Sequence, residues 1–288
     1  LCGKCRVKVS GNAGSFAESE MRLLTPSERA AGIRLACAAT VLDNLTVEAL
    51  DRSDGSQVLT EGVGSSDELD PPSKVVTLIL PPPTLADQRA DCERLLPALG
   101  DAEVDTAVLG KCPDAVRASE THVALFRGGR VPRVTDLSTS PLRNLGAAID
   151  VGTTTMAAYL IDLETGALLS TRTCLNPQRR HGGDVISRAD FAGTPEGLKA
   201  LQTLVVGAMD ELVSGMLAAA GAAANDVRQV VAVGNTIMMH LLAGLPVKNI
   251  AVLPFAPVYV RGFDVAATDL GLHLPVARVT LSSCVAGY

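Results

Sequence analysis

The sequence predicts an α+β protein of several domains, on three observations. The chain has 288 residues, enough for about two domains on the usual relation of length to domain count. "DRSDGSQVLTEGVGSSDELDPP", over 51–72, is rich in Ser, Asp and Gly and holds no durable period, so it reads as a linker. Beyond it, alternating strand patterns and a helical apolar repeat both occur. Hydrophobic residues make up 47% of the chain, aromatics only 3%, and Trp is absent. Its cores are therefore Ala, Val and Leu packed against Gly.

Four segments follow: 1–50, the linker 51–72, 73–144 and 145–288. In the first, "RVKVSG" is a short strand with Gly11 behind it. "TPSERAAG" is a short helix: Thr25 caps it, Pro26 is its first residue, Glu28 completes a capping box and Gly32 stops it. "IRLACAATVLDNLTVEAL" holds Cys37 in a loop and closes on the strand "LTVEAL". The third segment is a small α/β unit. "SKVVTLIL" is a strand. "TLADQRADCERLLPAL" is a helix whose Thr84 and Asp87 fit a capping box. "HVALFRGGRVPRV" is two strands joined at Gly128–Gly129.

The fourth segment opens on "GAAIDVGTTTMAAYLIDLETGALLSTRT", two apolar strand patterns each followed by a turn. A long helix spans roughly 195–220, capped by Thr194, with Leu198, Leu201, Val205, Met209, Leu212 and Met216 at helical spacing. "RQVVAVGNTIMMHLLAG" is a strand, a Gly-Asn-Thr turn and a helix ending at Gly244.

The bulk chemistry narrows the partners. A net charge of −6 argues against nucleic-acid binding, which needs a basic face to displace counterions. No stretch approaches the ~20 apolar residues of a membrane span, so none is expected. Seven cysteines, odd in number and scattered, do not make a secreted disulfide framework, and a reducing, cytoplasmic compartment is expected.

Cys2 and Cys5 stand in C-x2-C spacing, which lets two thiolates of one loop bind one metal or one cluster. Cys37 is a distant third. Plant-type [2Fe–2S] domains use a C-x4-C-x2-C run and a far fourth cysteine, so a first ligand would lie upstream of Leu1. A redox dithiol or half a zinc site remain alternatives. The Gly and Lys inside "CGKC" favour a cluster, because Gly lets the backbone wrap it and N–H groups there can donate to its sulfurs. Cys92, Cys112, Cys174 and Cys284 are expected to be small packed residues without a role.

In "AIDVGTTTMAAYLIDLETG", an apolar strand delivers Asp150 to a turn of Gly152, Thr153, Thr154 and Thr155. Gly152 permits close backbone approach, and successive N–H groups and hydroxyls there can cradle a phosphate. Asp150 could hold Mg²⁺ directly or through water. No Walker A or G-x-G-x-x-G fingerprint occurs. The alternative is a tight hairpin whose threonines simply suit strands.

This stretch resembles the first phosphate motif of the superfamily of acetate and sugar kinases, heat-shock chaperones and actin. Together with "CGKCRVKV", "LTPSERAAGIRLAC", "NPQRRHGGDVISR" and "VAVGNTIMMHLLAGL", it makes nearly the whole chain resemble the reductive activators of corrinoid proteins. The resemblance implies a partial β-grasp ferredoxin-like domain, a small α/β middle domain and the first subdomain of an actin-like, ribonuclease H-like ATPase. It implies ATP-dependent reduction of a corrinoid from Co(II) to Co(I), with a [2Fe–2S] cluster on Cys2, Cys5 and Cys37 and with ATP and Mg²⁺ at Asp150 and Gly152–Thr155. Implied partners are a corrinoid protein of a methyltransferase system and an upstream electron donor, with a homodimer left open. The missing first cysteine, and a second phosphate loop of which "CVAGY" would be the start, make the chain read as a piece of a longer protein. A non-redox ATPase or small-molecule kinase with a structural N-terminal metal, or a plain ferredoxin-like carrier with a docking module, are the competing readings.

Asp184 could line the ATP site or position a water, or simply cap the helix "VISRADF" after Gly182–Gly183. Asn235, with Thr236, could face the nucleotide cleft or only start its helix. His181 is expected on the surface, His240 in helix packing, and Met238 and Met239 as core filler.

Overall fold

The structure is a computed structural model that describes residues 5–50, 69–100 and 102–285. Cys2, the linker save 69–72, and 286–288 of "CVAGY" lie outside the described residues. The chain divides into two compact units, 1–59 and 60–288.

In the first unit, β1 (Arg6–Gly11), β2 (Ile33–Leu35) and β3 (Leu45–Ala49) form an antiparallel sheet in the order β2-β1-β3. Two short helices, α1 (Glu18–Leu23) and α2 (Pro26–Ala30), connect β1 to β2. The capping box at α2 forms as the sequence indicates. Thr25 Oγ1 accepts from the Glu28 N–H at 3.2 Å, and Glu28 Oε2 accepts from the Thr25 N–H at 2.8 Å.

α1 has no counterpart in the sequence reading. It is organised by Glu20, whose side chain is fully buried. Glu20 accepts from Arg34 Nε at 2.9 Å and Nη2 at 2.8 Å, and from the N–H groups of Ala17 and Leu35. The rest of the Arg34 guanidinium donates to the carbonyls of Ala13, Gly14 and Ser15. Every polar atom of this buried pair is thus satisfied, the condition under which such a pair is tolerated. The Arg34 hydrogen bonds, opposed by burial and aided by the two amides, draw the Glu20 carboxyl down to about 2. An unfolded Glu titrates near ~4.3, so this contribution is present above that pH and is lost as pH falls through about 2. Protection of residues 5–50 from hydrogen exchange, relative to the intrinsic rate at each pH, is expected to fall between about pH 5 and pH 2, and Glu20→Gln is expected to flatten that dependence. An unchanged profile in the variant would place the acid sensitivity elsewhere.

The second unit holds two sheets. β4 (Ser73–Leu78), β5 (Glu103–Val104), β6 (Thr121–Phe126) and β7 (Arg133–Ser138) form one in the order β4-β6-β7-β5, with β6–β7 the hairpin across Gly128–Gly129. It packs against α3 (Asp91–Leu99) and α4 (Cys112–Ala115) through Leu95, Leu99, Val108, Val116, Val123 and Leu137. The helix expected over 84–99 is only Asp91–Leu99. Thr84 Oγ1 does accept from the Asp87 N–H at 3.1 Å, but the two backbones also bond reciprocally, and that bridge closes a turn rather than a helix. The Asp87 carboxylate gathers Arg89 and Arg94 instead.

The larger sheet contains β8 (Leu145–Val151), β9 (Thr155–Asp162), β10 (Leu168–Leu175), β11 (Val227–Gly234), β12 (Phe263–Ala266) and β13 (Arg278–Leu281), in the order β10-β9-β8-β11-β13-β12. β8, β9 and β10 are an antiparallel meander, and β11 runs parallel to both β8 and β13. β10 is a strand that the sequence reading lacks. It is an edge strand with mostly exposed, mixed residues, so its alternation is weak. α5 (Val185–Phe191), α6 (Pro195–Ala219), α7 (Thr236–Leu242) and α8 (Ala267–Leu270) complete the segment.

α6 is the helix that the repeat predicts, with Thr194 Oγ1 accepting from the Gly197 N–H at 3.1 Å. Leu201, Val205, Met209, Leu212 and Met216 are buried in the core. By length and composition α6 could cross a membrane, but half of its most apolar window is buried inside the protein. α7 ends before Gly244, whose φ of +69° is the left-handed geometry that stops a helix.

His240 is buried on α7 as packing. Its Nε2 accepts from the Val258 N–H at 3.1 Å, so Nδ1 carries the proton and donates to the Thr236 carbonyl at 2.7 Å. Burial holds its pKa below the usual value. Cys112 and Cys284 are buried, and Cys92 and Cys174 are partly buried, as small packed residues.

The two sheets of this unit are joined by buried polar contacts. Asp136 of β7 accepts from Arg228 Nη1 of β11 at 2.6 Å and from Lys111 Nζ at 2.5 Å. Arg228 Nε also donates to the Arg143 carbonyl, and Asn144 Nδ2 donates to the Ser73 carbonyl at 3.0 Å.

Candidate functional site

The β8–β9 hairpin is built by register. Val151 faces Met156 and Asp150 faces Ala157, leaving 152–155 to turn the chain. The turn is tight: a Cβ on Gly152 would stand 2.3 Å from the Thr155 carbonyl oxygen. No side chain fits there, which is why glycine occupies the position.

Three successive carbonyls of this turn point into the protein. That of Gly152 accepts from Asn176 Nδ2 at 2.8 Å, that of Thr153 from Arg188 Nη2 at 2.6 Å, and that of Thr154 from the Asn176 N–H at 2.9 Å. In a trans peptide the N–H lies opposite the preceding C=O. The N–H groups of Thr153, Thr154 and Thr155 are therefore turned to the other side. Among the described residues, those of Thr153 and Thr154 donate to nothing. Consecutive amides aimed one way with free protons make a site for an anion.

Asp150 stands at the end of β8, exposed, and its carboxylate makes no hydrogen bond or ion pair among the described residues. The protein packed around its base raises its pKa by desolvation. The Asn235 side chain does two things. Its Oδ1 caps α7 through the Met238 N–H at 3.0 Å, and its Nδ2 donates to Thr153 Oγ1 at 3.0 Å. It therefore belongs to the hairpin's surroundings as well as to the helix start. Asp184 caps α5 through the N–H groups of Ile186 and Ser187, at 3.0 and 2.9 Å. These amides, that of Ser187 first, hold its carboxyl below the usual range. Asp184 thus caps α5 and, among the described residues, makes no hydrogen bond or ion pair to the hairpin.

Asn176, Gln178 and Arg188 support the turn and have no counterpart among the residues that the sequence marks as candidates. Asn176 and Gln178 are buried, the Asn176 Oδ1 accepts from the Gln178 N–H at 2.9 Å, and Gln178 Nε2 donates to the Leu201 carbonyl at 2.9 Å. Their signal in the sequence is the density of polar residues in "NPQRRHGGDVISR". His181 is partly exposed and stacks on Phe191, with ring centroids 4.2 Å apart. Met238 and Met239 are buried as expected, and the Met238 sulfur also receives Arg188 Nη1 at 3.2 Å.

The first unit brings two cysteines together. The β1–β2 register pairs Arg6 with Leu35, and the Ala36 N–H donates to the Cys5 carbonyl at 2.8 Å. Cys5, just before β1, and Cys37, just after β2, are thus carried to the same end of the sheet. Their sulfurs lie 3.1 Å apart. Burial raises the Cys5 pKa, but the Cys37 thiol and the N–H groups around it outweigh this, and the net shift is downward. Since the thiolate is the metal-binding form, this pair suits a metal or cluster. Among the described residues no group of three His, Cys, Asp or Glu side chains gathers here, and Cys2 lies outside them.

Comparison with known proteins bears on the whole chain. A family model described as the RACo middle region matches residues 145–288, and one described as the RACo linker region matches 65–139. The "Corrinoid activation enzyme RamQ" of Eubacterium limosum is 28% identical over 294 residues, covering 100% of this chain and 47% of that protein. A solved structure, "Reductive activator for corrinoid,iron-sulfur protein", superposes with a TM-score of 0.72 at 28% identity, covering 100% of this chain and 49% of that one. The chain spans about half the length of these relatives. Its mixed α/β architecture is that of the solved activator. The chain belongs to the family of reductive activators of corrinoid proteins.

Proposed function

We propose that the chain serves ATP-dependent reductive activation of a corrinoid protein, returning its cobalt from Co(II) to Co(I). The observation that carries this reading is the 152–155 turn, whose carbonyls are tied inward while its amides face outward, in a member of this family. The sheet around it, an antiparallel meander running on into parallel strands, supports an actin-like ATPase segment over 145–288. The three-stranded unit with Cys5 and Cys37 at one end supports a ferredoxin-like segment over 1–50, and the four-stranded sheet supports a small α/β domain over 73–144, most of which falls in the matched RACo linker region.

In this reading the amides of Thr153 to Thr155 hold the phosphates of ATP. Asp150, exposed and raised in pKa, holds Mg²⁺ or its water, and Asn235 fixes Thr153. Cys2, Cys5 and Cys37 would hold the [2Fe–2S] cluster, which when bound supplies a one-electron carrier. Nucleotide binding drives a conformational change only through different affinities for the two states, and a hinged ATPase provides them. The partners are a corrinoid protein of a methyltransferase system and an upstream electron donor, in the cytoplasm.

The test is optical. The intact protein, reconstituted anaerobically with iron and sulfide, is mixed with a Co(II) corrinoid protein and a chemical reductant, with and without ATP. Co(I) is expected to form only with ATP, and not with Cys37→Ala. Binding of zinc alone, ATP-independent reduction, or a phosphorylated small product would overturn the reading.

A further inference from the structure

Arg188 and Arg228 are the largest fully buried side chains of the second unit. The charge of Arg228 is met by Asp136. That of Arg188 is met by no carboxylate among the described residues. Its partners are neutral: Nε donates to the Gly182 carbonyl at 3.0 Å, Nη2 to the Thr153 carbonyl at 2.6 Å, and Nη1 approaches Gln178 Oε1 and the Met238 sulfur. Asp184, whose charge favours the cation from a distance, is exposed and occupied by the amides of α5. Burial, and then the positive charge of Arg179, push the Arg188 pKa down, so the surroundings oppose the cation. A buried charge without a counter-charge is costly to the fold. Its position explains why it is kept. The guanidinium lies directly behind the anion-facing turn and shares a peptide unit with it, through the Thr153 carbonyl.

We propose that Arg188 is the positioning residue and buried counter-charge for a polyphosphate held at the 152–155 turn. The inference rests on reading that turn as the ATP phosphate site. Arg188 acts in two ways. By holding the Thr153 carbonyl inward it keeps the Thr154 N–H outward. By polarising that peptide it strengthens the same N–H as a donor, as chained hydrogen bonds do at low dielectric. The anion then supplies the negative charge that the protein omits.

The test uses the intact protein with ATP, adenosine and inorganic pyrophosphate as probes, and the variants Arg188→Met and Arg188→Lys. Arg188→Met is expected to keep or raise the ligand-free Tm, because it removes an uncompensated charge. It is expected to weaken ATP binding about tenfold or more, the scale of one charge-assisted hydrogen bond, while leaving adenosine binding unchanged. Arg188→Lys is expected to fall between, keeping the charge but not the fork of bonds. Pyrophosphate is expected to raise the wild-type Tm above that in sodium chloride of equal ionic strength.

If the wild type binds neither ATP nor pyrophosphate, the phosphate reading of the turn fails and this inference with it. If the wild type binds ATP and Arg188→Met binds it equally, only the role of Arg188 falls. A variant that loses ATP and adenosine alike, with a lowered ligand-free Tm, makes Arg188 merely structural and also overturns the proposal. Should Arg188→Met fail to fold, Arg188→Lys and the wild-type pyrophosphate response decide, and absence of an anion-specific rise overturns it.

Discussion

Replacing Gly152 with alanine is expected to abolish ATP binding by the intact protein while leaving it folded. The added Cβ would stand 2.3 Å from the Thr155 carbonyl oxygen, and that oxygen belongs to backbone, which cannot swing aside as a flexible side chain could. The hairpin must open, and opening it breaks the alignment of three carbonyls on Asn176 and Arg188. The stability cost is expected to be about 1–3 kcal/mol, the range for inserting a methyl group into packed structure. The binding cost is larger, because amides that no longer point together no longer share one anion. Calorimetric titration with ATP and a thermal melt separate the two effects. Thr154→Ala, which removes a hydroxyl but leaves the amides in place, is expected to weaken binding far less. An ATP affinity in Gly152→Ala equal to wild type would remove the hairpin from the nucleotide site.

Asp136→Ala is expected to cost about 3–5 kcal/mol, the scale for stripping the partner from a buried charge. Asp136 is 3% exposed and Arg228 is 1% exposed, and they meet at 2.6 Å between the two sheets of the second unit. Without the carboxylate, Arg228 keeps, among the described residues, only its bond to the Arg143 carbonyl. Lys111 shares Asp136 but is half exposed, so it can return to water, and Lys111→Met is expected to cost less than about 1 kcal/mol. Burial raises the Asp136 pKa, but the bonds to Lys111 and Arg228 outweigh it and the net shift is downward. Its contribution is therefore present above the unfolded carboxyl pKa and is lost as pH falls through the folded one. Denaturant titrations of the two variants at neutral pH check the ranking. Equal costs for both would show that the Asp136–Arg228 contact does not join the sheets.

The family of the chain was legible from a few short stretches, because backbone demands select particular residue types. A turn as close as 152–155 admits only glycine at its first position. A helix that must bury one side over many turns repeats its apolar residues, as Leu201, Val205, Met209, Leu212 and Met216 do on α6. Capping is equally local: the bonds at Thr25, Thr194, Asp184 and Asn235 form between residues two or three apart.

Local chemistry also misled at one point. Thr84 and Asp87 make the side-chain bond of a capping box, yet no helix follows until Asp91. The same bond serves a turn when the backbones pair reciprocally, and the arginines Arg89 and Arg94 draw the Asp87 carboxylate into that turn. β10 was missed for a different reason. An edge strand with mostly exposed residues needs no apolar alternation, and only its pairing with β9 makes it a strand.

By itself, the sequence determined what short-range physics can decide: the caps, the tight turn, the long amphipathic helix and the close C-x2-C spacing of Cys2 and Cys5. Tertiary structure alone decided which distant groups meet. Register carries Cys5 to Cys37. Packing buries Glu20 with Arg34, and Asp136 with Arg228. It also sets Arg188 behind Thr153, 35 positions away in the chain. Charged residues carry no mark in the sequence of whether they will be buried. Their burial depends on partners brought from other elements, and that is settled only when the sheets and helices close on one another.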